Sequence, residues 1–282
     1  MARDIDILTA PGLKHLRDRW WDAAFDAFVR DTLQPQPGDR VLEVGAGTGL
    51  TEVTLELLAP GEVRYVGIDW RADRLQQAHR AARQRGVSLT LTAAQAAALP
   101  FADEAFTSSL CVGVLQYATD PAALVRELAR VTRGPGRVLI VEPDNTARYW
   151  FSSIPSGMRA FSLAQDFHRA EAARIGPPQP DPAIGPHVAA LCRANGIDPI
   201  SVQIFPVSDA RLGAPVPTVW QARRDDVARL IADSDGAESQ GIGEQWLQAI
   251  EQYAVDGAQA GPAFLEIQHT MLVATVGQVV RA

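Results

Sequence analysis

The stretch Val-Leu-Glu-Val-Gly-Ala-Gly-Thr-Gly-Leu, residues 41–50, limits the fold more than any other part of the chain. An apolar run over residues 40–44 reads as a short buried strand. It passes directly into Gly45, Gly47 and Gly49, and a helix is expected to start at Thr51. Glycine admits positive φ and places no Cβ between the backbone and whatever approaches it. In a doubly wound sheet such a turn lies at the carboxyl edge of the strands, where nucleotides are received.

The neighbouring residues narrow the ligand. A dinucleotide fingerprint starting at Gly45 needs a small residue at position 50, and Leu50 stands there. Glu43, just before the turn, repels a pyrophosphate and suits a cationic or hydrogen-bond-donating ligand. Asp69 closes the next expected strand, where a carboxylate can accept both hydroxyls of an adenosine ribose; Trp70 follows it and is placed to cover one face of adenine. The combination describes a pocket for a nucleoside without a pyrophosphate.

The rest of the chain supplies the frame. Hydrophobic periodicity and turn residues predict helices over 13–32, 51–59, 72–85, 120–132, 187–195, 217–232 and 242–254. Strands are predicted over 40–44, 63–68, 88–92, 106–112, 136–142, 200–207 and 264–276. This alternation implies an α/β fold with a doubly wound, mostly parallel seven-stranded sheet. Residues 1–38 read as an N-terminal helical cap, and 39–282 as the main domain with helical lid insertions at about 145–186 and 208–262. The first insertion is aromatic-rich, and five prolines fall within residues 176–186.

Charge and cysteine usage exclude several classes of protein. Lys and Arg number 26 against 33 Asp and Glu, a net charge of −7, which is the wrong sign for tracking a phosphate backbone. No nucleic-acid partner is expected. Cys111 and Cys192 lie far apart and outside any metal-binding spacing. The N-terminus has no continuous apolar core, so neither a signal peptide nor a membrane span is expected, and the cytoplasm is the expected location. Oligomeric state leaves no mark on the sequence.

Beyond residues 41–50, four further segments carry a resemblance: YVGIDW at 65–70, AALPFADEAF at 97–106, VLQYATDP at 114–121 and ELARVTRGPGRVLIVEPD at 127–144. With the glycine turn they are similar to class I S-adenosylmethionine-dependent methyltransferases, specifically the small-molecule group that includes the ubiquinone and menaquinone enzymes. The resemblance covers residues 40–144 in specific motifs, the segment 187–207 more loosely, and the insertions not at all. It implies a Rossmann-like methyltransferase fold, S-adenosylmethionine as cofactor, S-adenosylhomocysteine as its product, and a small-molecule acceptor. It places the methionine portion along Glu43, Gly45, Ala46 and Gly47, the ribose on Asp69 and the adenine against Trp70. Where the family commonly has Gly-Asp-Ala, this chain has Ala94, Gln95 and Ala96; the Gln95 amide oxygen can still accept from the adenine amino group, without a carboxylate's charge. Cys111 and Val112 are expected to pass beneath the cofactor, with Gln116 nearby.

Methyl transfer requires in-line placement of the acceptor and, for a hydroxyl, removal of a proton. His168 in the first insertion and His15 on the N-terminal helix are the candidate bases, and Tyr117 is a candidate to orient an acceptor oxygen. The aromatic residues at 148–151, with Met158, Phe161 and Phe167, fit either an apolar acceptor or a small core of their own. Glu142 and Asp144 at the expected end of the fifth strand suit an amine or a metal, but two carboxylates do not define a metal site, and none is predicted. Two rival readings remain at this point: a non-methylating catalyst such as a cyclase or decarboxylase that uses the bound cofactor, and a nucleoside-sensing binding module.

Overall fold

Four consecutive buried residues, Val41 to Val44, cannot be satisfied by a strand with one wet face. In a computed structural model that describes residues 23–47, 63–84, 86, 90–175, 181 and 183–281, β1 (Arg40–Val44) accordingly lies inside the sheet. Parallel β2 (Arg64–Asp69) flanks it on one side and parallel β4 (Phe106–Val112) on the other. β3 (Thr90–Ala93) pairs parallel with β2, and β5 (Thr132–Ser152) parallel with β4. With β6 (Ile197–Leu212) and β7 (Leu265–Val279) the sheet order is β3-β2-β1-β4-β5-β7-β6. The order reverses between β1 and β4, so the ligand crevice of such a sheet opens at the carboxyl ends of these two strands.

The helices are α1 (Ala23–Leu33), α2 (Ala72–Gln84), α3 (Pro121–Val131), α4 (Pro155–Ile175), α5 (Val188–Ala194), α6 (Pro217–Asp233) and α7 (Ala237–Ala260). α3 begins as its sequence dictates: the Asp120 carboxylate accepts from the Ala123 N–H at 2.8 Å and Pro121 occupies the first turn. Leu124, Val125, Leu128, Ala129 and Val131 form its buried face. The expected helix over 51–59, the start of the first expected helix and the first residues of the third expected strand lie outside the described residues.

The chain divides into two compact units. One comprises Trp20–Thr146, Pro180–Phe205 and Met271–Ala282; its core is built from β1, β2, β4, β5 and α3, with Leu42, Ile68, Cys111, Leu128 and Ile140 among its members. Among the described residues, the other comprises 147–175 and 206–270. The chain passes between the units within β5, β6 and β7. These strands are longer than the periodicity predicts: β5 continues to Ser152, ten residues past its expected end, because the aromatic stretch 147–152 stays extended rather than opening a loop. Residues 155–175 form a 21-residue helix within the expected first insertion.

The second unit is organised around a buried ion pair. Arg223 on α6 donates to both carboxylate oxygens of Glu266 on β7, at 2.9 and 2.6 Å, and its guanidinium lies 4.8 Å from the Trp220 ring centroid. Glu266 also accepts from the Tyr253 hydroxyl at 2.8 Å, and that hydroxyl lies 2.8 Å from Ser152 Oγ. Around this network pack Ile154, Trp220, Tyr253 and Phe264. Burial of Tyr253, with the Glu266 charge beside it, pushes its hydroxyl pKa up, so it stays a donor. Removing the cation strands a carboxylate that is 4% exposed. Arg223→Ala is therefore expected to destabilise the protein by about 3–5 kcal/mol, measured by denaturant unfolding.

Candidate functional site

The sheet register sets the site's framework. Val44 pairs with Ile68 and with Cys111, and Val112 pairs with Val141, so the residues that follow, Gly45, Asp69, Gly113 and Glu142, gather along one carboxyl edge. The turn after β1 is fastened to β2: the N–H groups of Gly45 and Ala46 both donate to the Ile68 carbonyl at 2.8 Å, and the Gly47 N–H donates to the Asp69 carboxylate at 2.9 Å. Gly45 (φ +81°) and Gly47 (φ +55°) take left-handed backbone conformations. At Gly45 the close approach has an internal cause, since a Cβ built there would collide with Val114 Cγ2.

Asp69 is 5% exposed, and its second oxygen accepts the Arg71 N–H at 2.8 Å. A carboxylate offers about four acceptor sites, and these two backbone bonds leave room for further hydroxyl donors. Trp70 beside it is 57% exposed, unusual for the largest side chain in an otherwise well-packed sheet. An acceptor-capable buried carboxylate, an exposed indole and a glycine turn on one edge fit the adenosyl group expected from the sequence.

Glu142 serves a purpose that sequence reasoning missed. It stands within β5 and not at its end, it is fully buried, and it accepts the N–H groups of Val114 and Leu115 at 2.7 Å each and of Gln116 at 3.3 Å. It thereby holds the turn after β4 by capping its backbone. The sequence signal was an acidic residue inside the apolar run Val138-Leu-Ile-Val-Glu142, which demands buried donors. Burial raises its carboxyl pKa to about 7, against the opposing effect of the three N–H groups.

The other predicted residues fall as follows. Glu43 is buried in β1. The Cys111 side chain belongs wholly to the core, and burial, reinforced by Glu142 and Glu43, pushes its thiol pKa up, so it is an inert core residue. Val112 is buried beside it, leaving backbone rather than side chain at the edge. Gln116 and Tyr117, both half-buried, lie in the short 3-10 turn Leu115–Tyr117 that Glu142 holds. Gln95 is exposed and Ala96 half-buried after β3, where the Ala94 N–H donates to the Asp69 carbonyl at 3.1 Å. The neighbouring loop is clamped from α3: Glu127 accepts the Leu99 N–H at 2.6 Å, while Arg130 bonds Glu127, Asp103 and the carbonyls of Leu99 and Phe101.

In the second unit His168 is exposed on α4, its ring edge-on to Phe167 and Trp246. Phe167 belongs to that unit's interior, and Met158 and Tyr149 are largely exposed. Tyr149, Trp150 and Phe161 line a cavity there. His15, Gly49 and Leu50 lie outside the described residues. No helix among the described residues is long and apolar enough to cross a membrane.

Comparison with known proteins adds to this geometry. Residues 42–140 match a family model described as a methyltransferase domain. The chain is 35% identical over 190 residues to the demethylmenaquinone methyltransferase of Mycobacterium sp. (strain KMS), an alignment covering 64% of this chain and 76% of that protein. Among solved structures, the YcgJ protein of Bacillus subtilis matches with a TM-score of 0.57 at 18% identity, over 93% of this chain and 100% of that one. The [4+2]-cyclase SpnF matches with a TM-score of 0.52 at 18% identity, over 92% and 81%. These structural likenesses show the fold alone. A cyclase shares it, so the choice of activity rests on the methyltransferase domain match and the 35% relative.

The Glu142 geometry yields a pH signature. Its folded-state pKa lies above the ordinary carboxyl value of 4.5, so the unfolded chain ionises first as pH rises from 4.5 to about 7. The stability of the native protein relative to a Glu142→Gln variant should therefore fall across that window, by up to about 1.4 kcal/mol per pH unit, and level off above it. Urea unfolding of both proteins at several pH values measures the difference.

Proposed function

The chain belongs to the class I S-adenosylmethionine-dependent methyltransferases and methylates a small molecule, and from that premise we propose that its acceptor is a flat, largely apolar aromatic compound and that the cofactor is held by the carboxyl edge of β1, β2 and β4. The acceptor class is supported by the relative named for demethylmenaquinone and by the aromatic residues that the chain carries beyond residue 145.

In this reading Asp69 accepts the ribose hydroxyls, Trp70 covers the adenine, and Gln95 and Ala96 border it. The glycine turn Gly45-Ala46-Gly47 and Glu43 receive the methionine portion, with Glu43 supplying negative charge in a region of low dielectric. Val112, the Cys111 backbone and Gln116 border the crevice where the sheet order reverses. Tyr117 orients the acceptor through its hydroxyl. Bound S-adenosylmethionine supplies a sulfonium methyl that is already activated, so the protein's task is to align the acceptor and exclude water. His168, exposed and packed against Trp246, is given no part in proton transfer.

The observation that carries the reading is the Asp69 carboxylate: pinned by the Gly47 and Arg71 N–H groups, buried beside an exposed indole, and with acceptor capacity left over. Asp69→Ala should weaken S-adenosylmethionine binding by about 1.5–3 kcal/mol in calorimetry, the value of hydrogen bonds to a charged group. Thermal melts confirm that the variant is folded. Unchanged affinity in a folded variant would remove the ribose assignment, and failure of the wild type to release S-adenosylhomocysteine with any aromatic acceptor would remove the acceptor class.

A further inference from the structure

The second unit contains a cavity of about 90 Å³ with aromatic walls. The indole of Trp150 and the ring of Phe161 form one wall, with centroids 4.9 Å apart, and Tyr149 borders it. The neighbouring strand β7 contributes Gln268, His269 and Thr270. Two of these lining residues carry buried polar atoms without a hydrogen-bond partner, Trp150 Nε1 and Thr270 Oγ1. Leaving such a group unpaired costs about 1–3 kcal/mol, so an indole N–H and a hydroxyl left unpaired on two residues that line one cavity call for a hydrogen-bond partner.

Gln268 and His269 are held by their surroundings. The Gln268 amide donates to Glu266 at 3.2 Å, so the buried Arg223–Glu266 pair orients it. His269 Nδ1 lies 2.9 Å from the Ser208 hydroxyl, which fixes the ring and leaves Nε2 without a hydrogen bond among the described residues. None of the named lining residues carries a permanent charge. An apolar cavity of about 150 Å³ encloses benzene completely; this smaller, open one takes the oxygen-bearing edge of a single ring and leaves the remainder of a molecule outside.

We propose that this cavity is a binding site for the ring of an uncharged, oxygen-bearing aromatic compound, held against the wall formed by Trp150 and Phe161 with its oxygen satisfying Trp150 Nε1–H and the Thr270 hydroxyl. The site deepens the aromatic-acceptor reading above and rests on it for its biological ligand, whereas ring recognition follows from the cavity itself.

The test uses the full-length protein and three compounds of similar size: phenol, toluene and benzoate. Binding is followed by calorimetry and by the indole N–H resonance of Trp150 in nitrogen-15 spectra, assigned by its loss in Trp150→Phe. Phenol should bind five- to tenfold more tightly than toluene, the value of one neutral hydrogen bond, shift the Trp150 N–H downfield, and exclude benzoate. Thr270→Val, nearly isosteric, should reduce the phenol preference and leave toluene binding intact. Equal binding of phenol and toluene, or an unmoved Trp150 resonance under saturating phenol, would overturn the proposal, and both are read on the unmutated protein. S-adenosylmethionine binding is measured on the same samples: its presence without phenol binding defeats the cavity proposal alone, and the reverse defeats the cofactor assignment alone.

Discussion

Parallel strands that end together leave the N–H groups of the turns beyond them without partners, and the candidate site depends on how those groups are satisfied. Two buried carboxylates do it. Asp69 takes the Gly47 and Arg71 N–H groups, and Glu142 takes those of Val114, Leu115 and Gln116. The first secures the glycine turn to β2 and the second secures the turn after β4, on either side of the point where sheet order reverses. These bonds anchor the backbone on both sides of the crevice, which favours preorganised binding. The same anchoring explains why Gly45 and Val114 approach so closely: each belongs to a turn tied down by a carboxylate from its neighbouring strand.

A comparable economy runs through the rest of the first unit. The segments Leu99 to Asp103 and Glu127 to Arg130, far apart in sequence, are one structural device, in which the ends of a loop are held by a single guanidinium–carboxylate pair on α3. Arg130 beside Glu127 keeps that carboxyl below the ordinary value, consistent with a charged pair. The second unit places its ion pair deeper, and there Arg223 and Glu266 are surrounded by aromatic rings that double as packing surface and as the support of a cavity wall. Long-range clamps of this kind are invisible to periodicity, because each partner looks like an ordinary helix or strand residue until the fold brings them together.

The elements with strong local signals were legible: β1, β4, α3 and α6 lie within a residue or two of their expected bounds. β5 was not, because Asn145 to Ser152 mixes polar and aromatic residues without a clean alternation, and it stays extended only through pairing with β7. Of the candidate site, Asp69, Trp70 and the glycine turn could be read from position alone. Glu142 could be noticed as a carboxylate but given no part, since the sequence implies that it is buried without saying which donors await it. His269 was one histidine among five until the structure set it against Ser208.

What the sequence by itself determined is the strand-to-glycine transition at Val44, the acidic residue ending β2 and the family to which the motifs belong, because these depend on residue type and spacing within a few dozen positions. What only the tertiary structure decided is the partner of each buried polar group and the grouping of Trp150, Phe161 and His269 around one cavity. Those depend on contacts between segments tens of residues apart, and at the cavity more than a hundred; such contacts follow from packing the whole chain and leave no local pattern to read.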